Sequence, residues 1–208
     1  MGLLVEGFNY SSAAEEEFND WYDTEHAPER RRIEGFLSAE RWLGADDPRI
    51  SIATYDLTSL DVLQSAPYLA ISGANRSPWS KYVGAKCQSI CDYSAEEIVA
   101  AKTALPDNAG GFLLVAMNVD PQAEDEFNDW YDTEHLPRLL AVPGCLSARR
   151  FRAGGGTHKY LAVYHLDSPE VCASQIWKDA VATPWTARII PRTSVHLRIP
   201  LRRYTRRA

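Results

Sequence analysis

The sequence predicts an α+β chain that uses one βαββαβ unit twice. Three observations predict it. The nonapeptide FNDWYDTEH stands at Phe18–His26 and again at Phe127–His135. The same offset of 109 residues aligns Asn9 with Asn118, Gly35 with Gly144, Arg41 with Arg150 and Tyr55 with Tyr164, without a gap. Short apolar runs and helix-patterned stretches then come in the same order in both halves.

Leu3–Asn9 is a short apolar strand, answered by Phe112–Val119. A helix begins near Ser11 or Ser12, with Glu15, Glu16 and Glu17 near its positive N-terminal end. Pro28 and Gly35 punctuate its far end. Leu37–Leu43 and Ile50–Leu57 are strands around a turn at 44–48, matched by Leu146–Arg152 and Lys159–Leu166 around Gly154-Gly155-Gly156. A second helix comes next at Leu60–Ala70 and Pro169–Ala182, then a last strand at Ala85–Tyr93 and Ser194–Tyr204. Ser77-Pro78-Trp79 answers Thr183-Pro184-Trp185, now at an offset of 106.

This order is the ferredoxin-like arrangement. The expected organisation is one unit over residues 1–104, a linker over 105–110 and a second unit over 111–208. One four-stranded sheet with helices on one face leaves its other face open. Two tandem copies are therefore expected to share a core as an intrachain pseudo-dimeric α/β barrel.

Composition bounds the function. Hydrophobic residues make up 45% and charged residues 24%, as in ordinary globular proteins. The net charge of −6 argues against nucleic acid as a partner, since phosphate binding needs a basic face. The one basic run, Arg202, Arg203, Arg206 and Arg207, reads as a solvated tail. No apolar run approaches the ~20 residues that span a bilayer. The stretch Met1–Glu6 lacks signal-peptide character, so a cytoplasmic protein with no membrane partner is expected. Cys87, Cys91, Cys145 and Cys172 form no CxxC and read as reduced thiols. No Walker loop, dinucleotide fingerprint, HExxH or nucleophile elbow occurs, and no metal or cofactor is expected.

The repeated nonapeptide is the candidate site. On a helix with Phe18 at 0°, Trp21 and Tyr22 fall at about −60° and +40°, making an apolar stripe. Glu25 falls at about −20°, inside that stripe, and Asn19, His26 and Asp23 lie along one flank at about 80–140°. A carboxylate in a buried stripe beside a histidine is the setting that moves both pKa values toward neutrality for proton transfer. An Asp23–His26 hydrogen bond is sterically possible at this spacing. Packing would specify Phe18, Trp21 and Tyr22 but not Asn19, Asp20 or Asp23. The identity of polar positions between copies therefore points to a site rather than to packing alone. Beyond the repeat, Ala27–Arg32 is charged whereas Leu136–Ala141 is mainly apolar.

Trp21, Tyr22, Glu25, His26 and Pro28, with Trp130, Tyr131, Glu134, His135 and Pro137, resemble the EthD-like family of the dimeric α/β-barrel superfamily. The resemblance implies sites between the helices and the inner face of the sheet, with His26 and His135 as acid/base groups. It also implies a fused pair where the family has single-unit subunits, hence a monomeric pseudo-dimer or a homodimer.

The expected function is a small-molecule enzyme using cofactor-free acid/base chemistry, of the lyase, cyclase or dehydratase type, on an apolar aromatic or polyketide-like substrate. His26 and His135 would shuttle protons, tuned by Glu25, Glu134, Asp23 and Asp132. Asn19, Asn128, Trp21, Trp130, Tyr22, Tyr131, Arg41, Arg150, Tyr55 and Tyr164 would bind substrate. Trp79 and Trp185 would wall the pocket or anchor the second helix. Two alternatives stand beside this: a cofactor-independent or haem-linked monooxygenase, and a non-catalytic ligand-binding or assembly protein.

Overall fold

A computed structural model describes residues 1–99 and 106–206. Leu105, which opens the expected linker, and Arg207 of the basic run lie outside them. The chain divides into two compact units: Met1–Glu96 with the residues from Tyr204 onward, and Glu97–Arg203. The boundary falls inside a strand.

The first unit contains β1 (Gly2–Asn9), β2 (Glu40–Gly44), β3 (Ile50–Leu57) and β4 (Gln88–Val99). β1 pairs antiparallel with both β3 and β4, and β3 with β2, giving the sheet order 4-1-3-2. The second unit contains β5 (Gly111–Val119), β6 (Cys145–Ala153), β7 (Tyr160–Leu166) and β8 (Thr193–Arg203). β5 pairs with β7 and β8, and β7 with β6, repeating that order. Each unit is thus α+β and ferredoxin-like in strand order.

The motif forms one continuous helix in three parts. In the first unit these are Glu15–Trp21, a π-helical turn Tyr22–His26, and Ala27–Arg31. In the second they are Glu124–Trp130, Tyr131–His135 and Leu136–Leu140. The start is later than Ser11 or Ser12. The residues after β1 close a turn instead, with the Ala13 N–H on the Tyr10 carbonyl and Ser11 N–H on Asn9 Oδ1. Pro28 does not break the helix. The π turn closes its last bond from the Ala27 N–H to the Tyr22 carbonyl, one residue wider than an α turn. Pro28 then sits at the start of the next α-helical stretch, where a missing N–H costs least. Gly35 and Gly144 adopt positive φ (97° and 86°) in the turn after the helix, a conformation that disfavours side chains.

The expected second helix is two pieces in each unit. A 3₁₀ turn, Leu60–Gln64 or Pro169–Ala173, leads to a short helix, Ala66–Leu69 or Gln175–Val181. A further helix, Pro78–Ala85 or Pro184–Ile189, starts at the Ser77 or Thr183 N-cap, so Ala85 is helical and β4 begins at Gln88. Core residues lie between these helices and the sheet. Leu4, Phe18, Trp21, Tyr22, Tyr55 and Val83 serve the first unit; Leu113, Phe127, Trp130, Tyr131, Tyr164 and Ile189 serve the second. Among the described residues no helix is long and apolar enough to cross a membrane.

Candidate functional site

Most polar residues of the motif have structural partners, and these recur in both units. Asn19 Oδ1 accepts from Arg41 Nη2 at 2.7 Å, and Asn128 Oδ1 from Arg150 Nη2 at 2.8 Å. Asp132 pairs with Arg150, and Asp23 Oδ1 lies 4.0 Å from Arg41 Nη1. Both arginines are buried, at 5% and 1% exposure. Their guanidinium carbons lie over the Tyr22 and Tyr131 rings at 4.7 and 4.3 Å. Asn19 and Asp23 therefore clamp a strand arginine to the helix; they do not orient His26 as expected. Asp23 also accepts from the Tyr204 hydroxyl at 2.9 Å and from Arg206 at 3.1 Å. Of the basic run, Arg206 is thus engaged, and Arg202 pairs with Glu170.

Thr24 Oγ1 donates to the Asp20 carbonyl and Thr133 Oγ1 to the Asp129 carbonyl, each at 2.6 Å. This bond partners a carbonyl beside the widened π turn. Glu25 Oε1 accepts from Ser77 Oγ at 2.5 Å and from Ser80 Oγ at 2.9 Å, and Trp21 Nε1 donates to Ser80 Oγ at 3.0 Å. Glu134 accepts from the Thr183 hydroxyl at 2.6 Å, the Thr186 hydroxyl lies 3.0 Å from Thr183 Oγ1 and can donate to it, and Trp130 Nε1 donates to Thr186 Oγ1 at 3.2 Å. Each glutamate thus joins the π turn to the N-cap of the Pro78 or Pro184 helix and lies outside the aromatic stripe. The straight-helix projection fails here because the extra residue in the π turn rotates the side chains beyond it. The histidine, placed on the flank by that projection, turns onto the stripe instead. His26 lies 4.4 Å from the Trp21 ring and His135 4.3 Å from the Trp130 ring, centre to centre.

The two histidines have different surroundings. His26 is 5% exposed. Its Nε2 lies 3.2 Å from Glu6 Oε2 and its Nδ1 3.1 Å from Arg30 Nη1, while Arg30 Nη2 donates to Glu6 Oε1 at 3.2 Å. A carboxylate only accepts and a guanidinium only donates, which assigns the proton of the neutral ring to Nε2. Burial and Arg30 push the His26 pKa down, against the opposing pull of Glu6. Burial works to raise the Glu6 pKa, but Arg30 and His26 hold it down to about 2.

The same 109-residue register puts Val115 at the place of Glu6 and Leu139 at the place of Arg30. His135 consequently faces a cavity of about 280 Å³. Val115, Leu139, Leu113, Met117, Trp177 and Val181 line it together with Trp130, Tyr131, Tyr164, Thr186, Ile190 and Arg198. Among the described residues His135 has no hydrogen-bond partner for its ring nitrogens. Burial, aided by Arg150, depresses its pKa to about 3, so the ring is neutral at physiological pH. The hydroxyls of Tyr22 and Tyr55 lie 3.2 Å apart, and Tyr131 and Tyr164 influence each other at the matching place. Burial raises the pKa of Tyr131 and takes Tyr164 well above the usual phenol range, so both stay protonated.

The cavity therefore gathers His135, Trp130, Tyr131 and Tyr164 from the expected set. It does not gather Glu134, Asp132, Asn128 or Arg150, which hold the helix in place. Trp185 donates to Glu126 at 3.1 Å rather than walling the cavity, a part taken by Trp177. Sequence reasoning missed Val115, Leu139, Trp177 and Arg198. Their signal lay in positions that differ between the copies at equal register.

The model of a domain of unknown function, DUF4286, matches residues 112–182, which include β5, the second motif helix and β7. No curated protein matches the sequence. Solved structures resemble the chain over almost its whole length. An anthrone oxidase-like protein is 13% identical, with 98% of this chain and 92% of that one covered at a TM-score of 0.64. A haem-binding protein from Thermus thermophilus is 12% identical, with 98% and 91% covered at 0.62. An uncharacterised ferredoxin-fold protein related to antibiotic biosynthesis monooxygenases, from Listeria monocytogenes, is 8% identical, with 99% and 96% covered at 0.52. At these identities the likeness shows the fold alone, and the fold class is that of the ferredoxin-like α/β barrels.

Proposed function

We propose that the second unit is the chemically working half of the chain and that its cavity binds one small, mainly apolar molecule against neutral His135. The observation that carries this reading is the replacement of Glu6 and Arg30 by Val115 and Leu139. In the first unit the matching histidine has both nitrogens engaged within the protein. In the second the same ring is left with hydrogen-bonding capacity in an apolar pocket. A concave apolar wall with few convergent polar groups is the common form of a ligand site.

The reaction class that fits best is cofactor-free acid/base chemistry of the lyase, cyclase or dehydratase type on an aromatic or polyketide-like substrate. A ring with a pKa of about 3 is a weak base at pH 7. Its natural part is to donate a hydrogen bond to a carbonyl or hydroxyl oxygen of the ligand, as a neutral imidazole electrophile does. Tyr131 and Tyr164 stay protonated and can share in that contact. No step is assigned to haem. The EthD-like resemblance of the motif supports the placement of the site between helix and sheet. The matched units support an origin by tandem duplication, with the His135 side of the pair left open.

The test compares single variants on a panel of hydroxylated polycyclic aromatics, monitoring ligand binding, product formation and dissolved oxygen. The reading expects His135→Ala to lose turnover at unchanged fold and His26→Ala to lose stability. Oxygen uptake coupled to turnover would favour a monooxygenase instead. Saturable binding with no product would leave a ligand-binding protein.

A further inference from the structure

Resting on that reading, we infer that the ligand of the His135 cavity is an anion, an aromatic carboxylate whose acid group pairs with Arg198. Among the described residues that line the cavity, Arg198 is the one ionised side chain. His135 is neutral, Tyr131 and Tyr164 are protonated, and the other walls are apolar apart from Thr186. No aspartate or glutamate among the described residues lines the space.

Arg198 is placed by the sheet. It stands directly across from Val115 in the β5–β8 register, and both contribute to the wall. Its Nη2 donates to the Cys172 carbonyl at 2.9 Å, which anchors the guanidinium. Among the described residues it has no carboxylate partner. Four other arginines of this unit are held by carboxylates, Arg150 by Asp132, Arg188 by Glu126, Arg192 by Asp120 and Arg202 by Glu170, while Arg138 bonds the Ala180 carbonyl.

The first unit shows the reverse arrangement. Asp92 stands across from Glu6 in the β1–β4 register, at the place that Arg198 takes across from Val115. Two carboxylates there oppose an anion, and burial together with Glu6 raises the Asp92 pKa. The change from Glu6 and Asp92 to Val115 and Arg198 empties one position and reverses the charge of the other. A planar guanidinium beside an apolar chamber recognises a carboxylate on a ring, through charge-assisted and often bidentate bonds. The ring then fills the space between Trp177, Leu139 and Val115, and any uncharged oxygen at its far end meets His135.

The test is calorimetric titration with 2-naphthoate and its uncharged counterpart 2-naphthamide. The proteins are the full chain, Arg198→Met, and the cavity-filling variant Val181→Trp, each checked for an unchanged thermal midpoint. The expected result is that the naphthoate binds the native protein about tenfold or more tightly than the amide. Arg198→Met should erase that preference, and Val181→Trp should abolish binding of both. Equal binding of the two probes, still abolished by Val181→Trp, would overturn the anion assignment and leave the cavity reading intact. No saturable binding, or binding that survives Val181→Trp, would overturn both.

Discussion

Glu6 Oε2 lies 3.2 Å from His26 Nε2, and the residue at the same register before His135 is Val115. This strand position, together with the helix position held by Arg30 or Leu139, thus decides whether the motif histidine is tied into the protein or left facing a cavity. The ten identical residues Glu17–His26 and Glu126–His135 build the same frame in both units. The chemistry depends on what the frame faces.

Removing the Glu6 carboxylate should cost stability. Glu6→Gln leaves Arg30 buried, at 4% exposure, without its anion. Breaking a buried pair from one side typically costs about 3–5 kcal/mol. Urea unfolding of the variant should show a loss in that range, with ligand binding by the second unit retained.

The acid limb of stability should have several origins, Glu6 and His135 among them. Glu6 titrates at about 2 when folded and near 4.5 when unfolded. Its contribution is full above the unfolded value and is lost as pH falls through the folded one, a loss on the order of 3 kcal/mol. His135 is also depressed, to about 3 from 6.5. Its neutral form favours the fold above pH 6.5, and that stability drains away as pH falls toward 3. Unfolding free energies measured from about pH 7 to about pH 3 should decline steadily. Val115→Glu with Leu139→Arg, which gives His135 the partners of His26, should reshape the decline.

The same double variant should close the cavity. It copies the Glu6–His26–Arg30 arrangement onto His135 and should end binding of an apolar probe. Crystallography of the variant would show whether His135 gains both hydrogen bonds. A variant that still binds the probe would contradict the view that these two positions gate the site.

Arg150 should act on His135 through charge. Burial is the larger cause of the low pKa, and Arg150 adds to it. Arg150→Met should raise the His135 pKa, read from imidazole chemical shifts against pH, and should destabilise the protein by roughly 2–4 kcal/mol. An unchanged pKa would remove the electrostatic link.

The unit order βαββαβ was legible because alternating apolar runs and turn residues mark it twice. Ile50–Leu57 was legible to the residue. The motif was harder. Its polar identities suggested a site, but Asn19, Asp23, Thr24 and Glu25 each have a packing or capping duty that one helical period cannot display. The π turn was illegible because it inserts one residue without leaving a sequence mark, and it moves Glu25 off the stripe and His26 onto it. The cavity was missed for another reason. Val115 and Leu139 look like ordinary core residues until they are set beside Glu6 and Arg30. Identity between the copies locates the frame, and difference at equal register locates the site.

The most direct measurement tracks the imidazole resonances of His26 and His135, assigned by single His→Gln variants, while 2-naphthoate is added at neutral pH. The account predicts saturable shifts of His135 and none of His26. Shifts of His26, or of neither ring while the probe binds, would contradict the assignment of the ligand site to the His135 cavity.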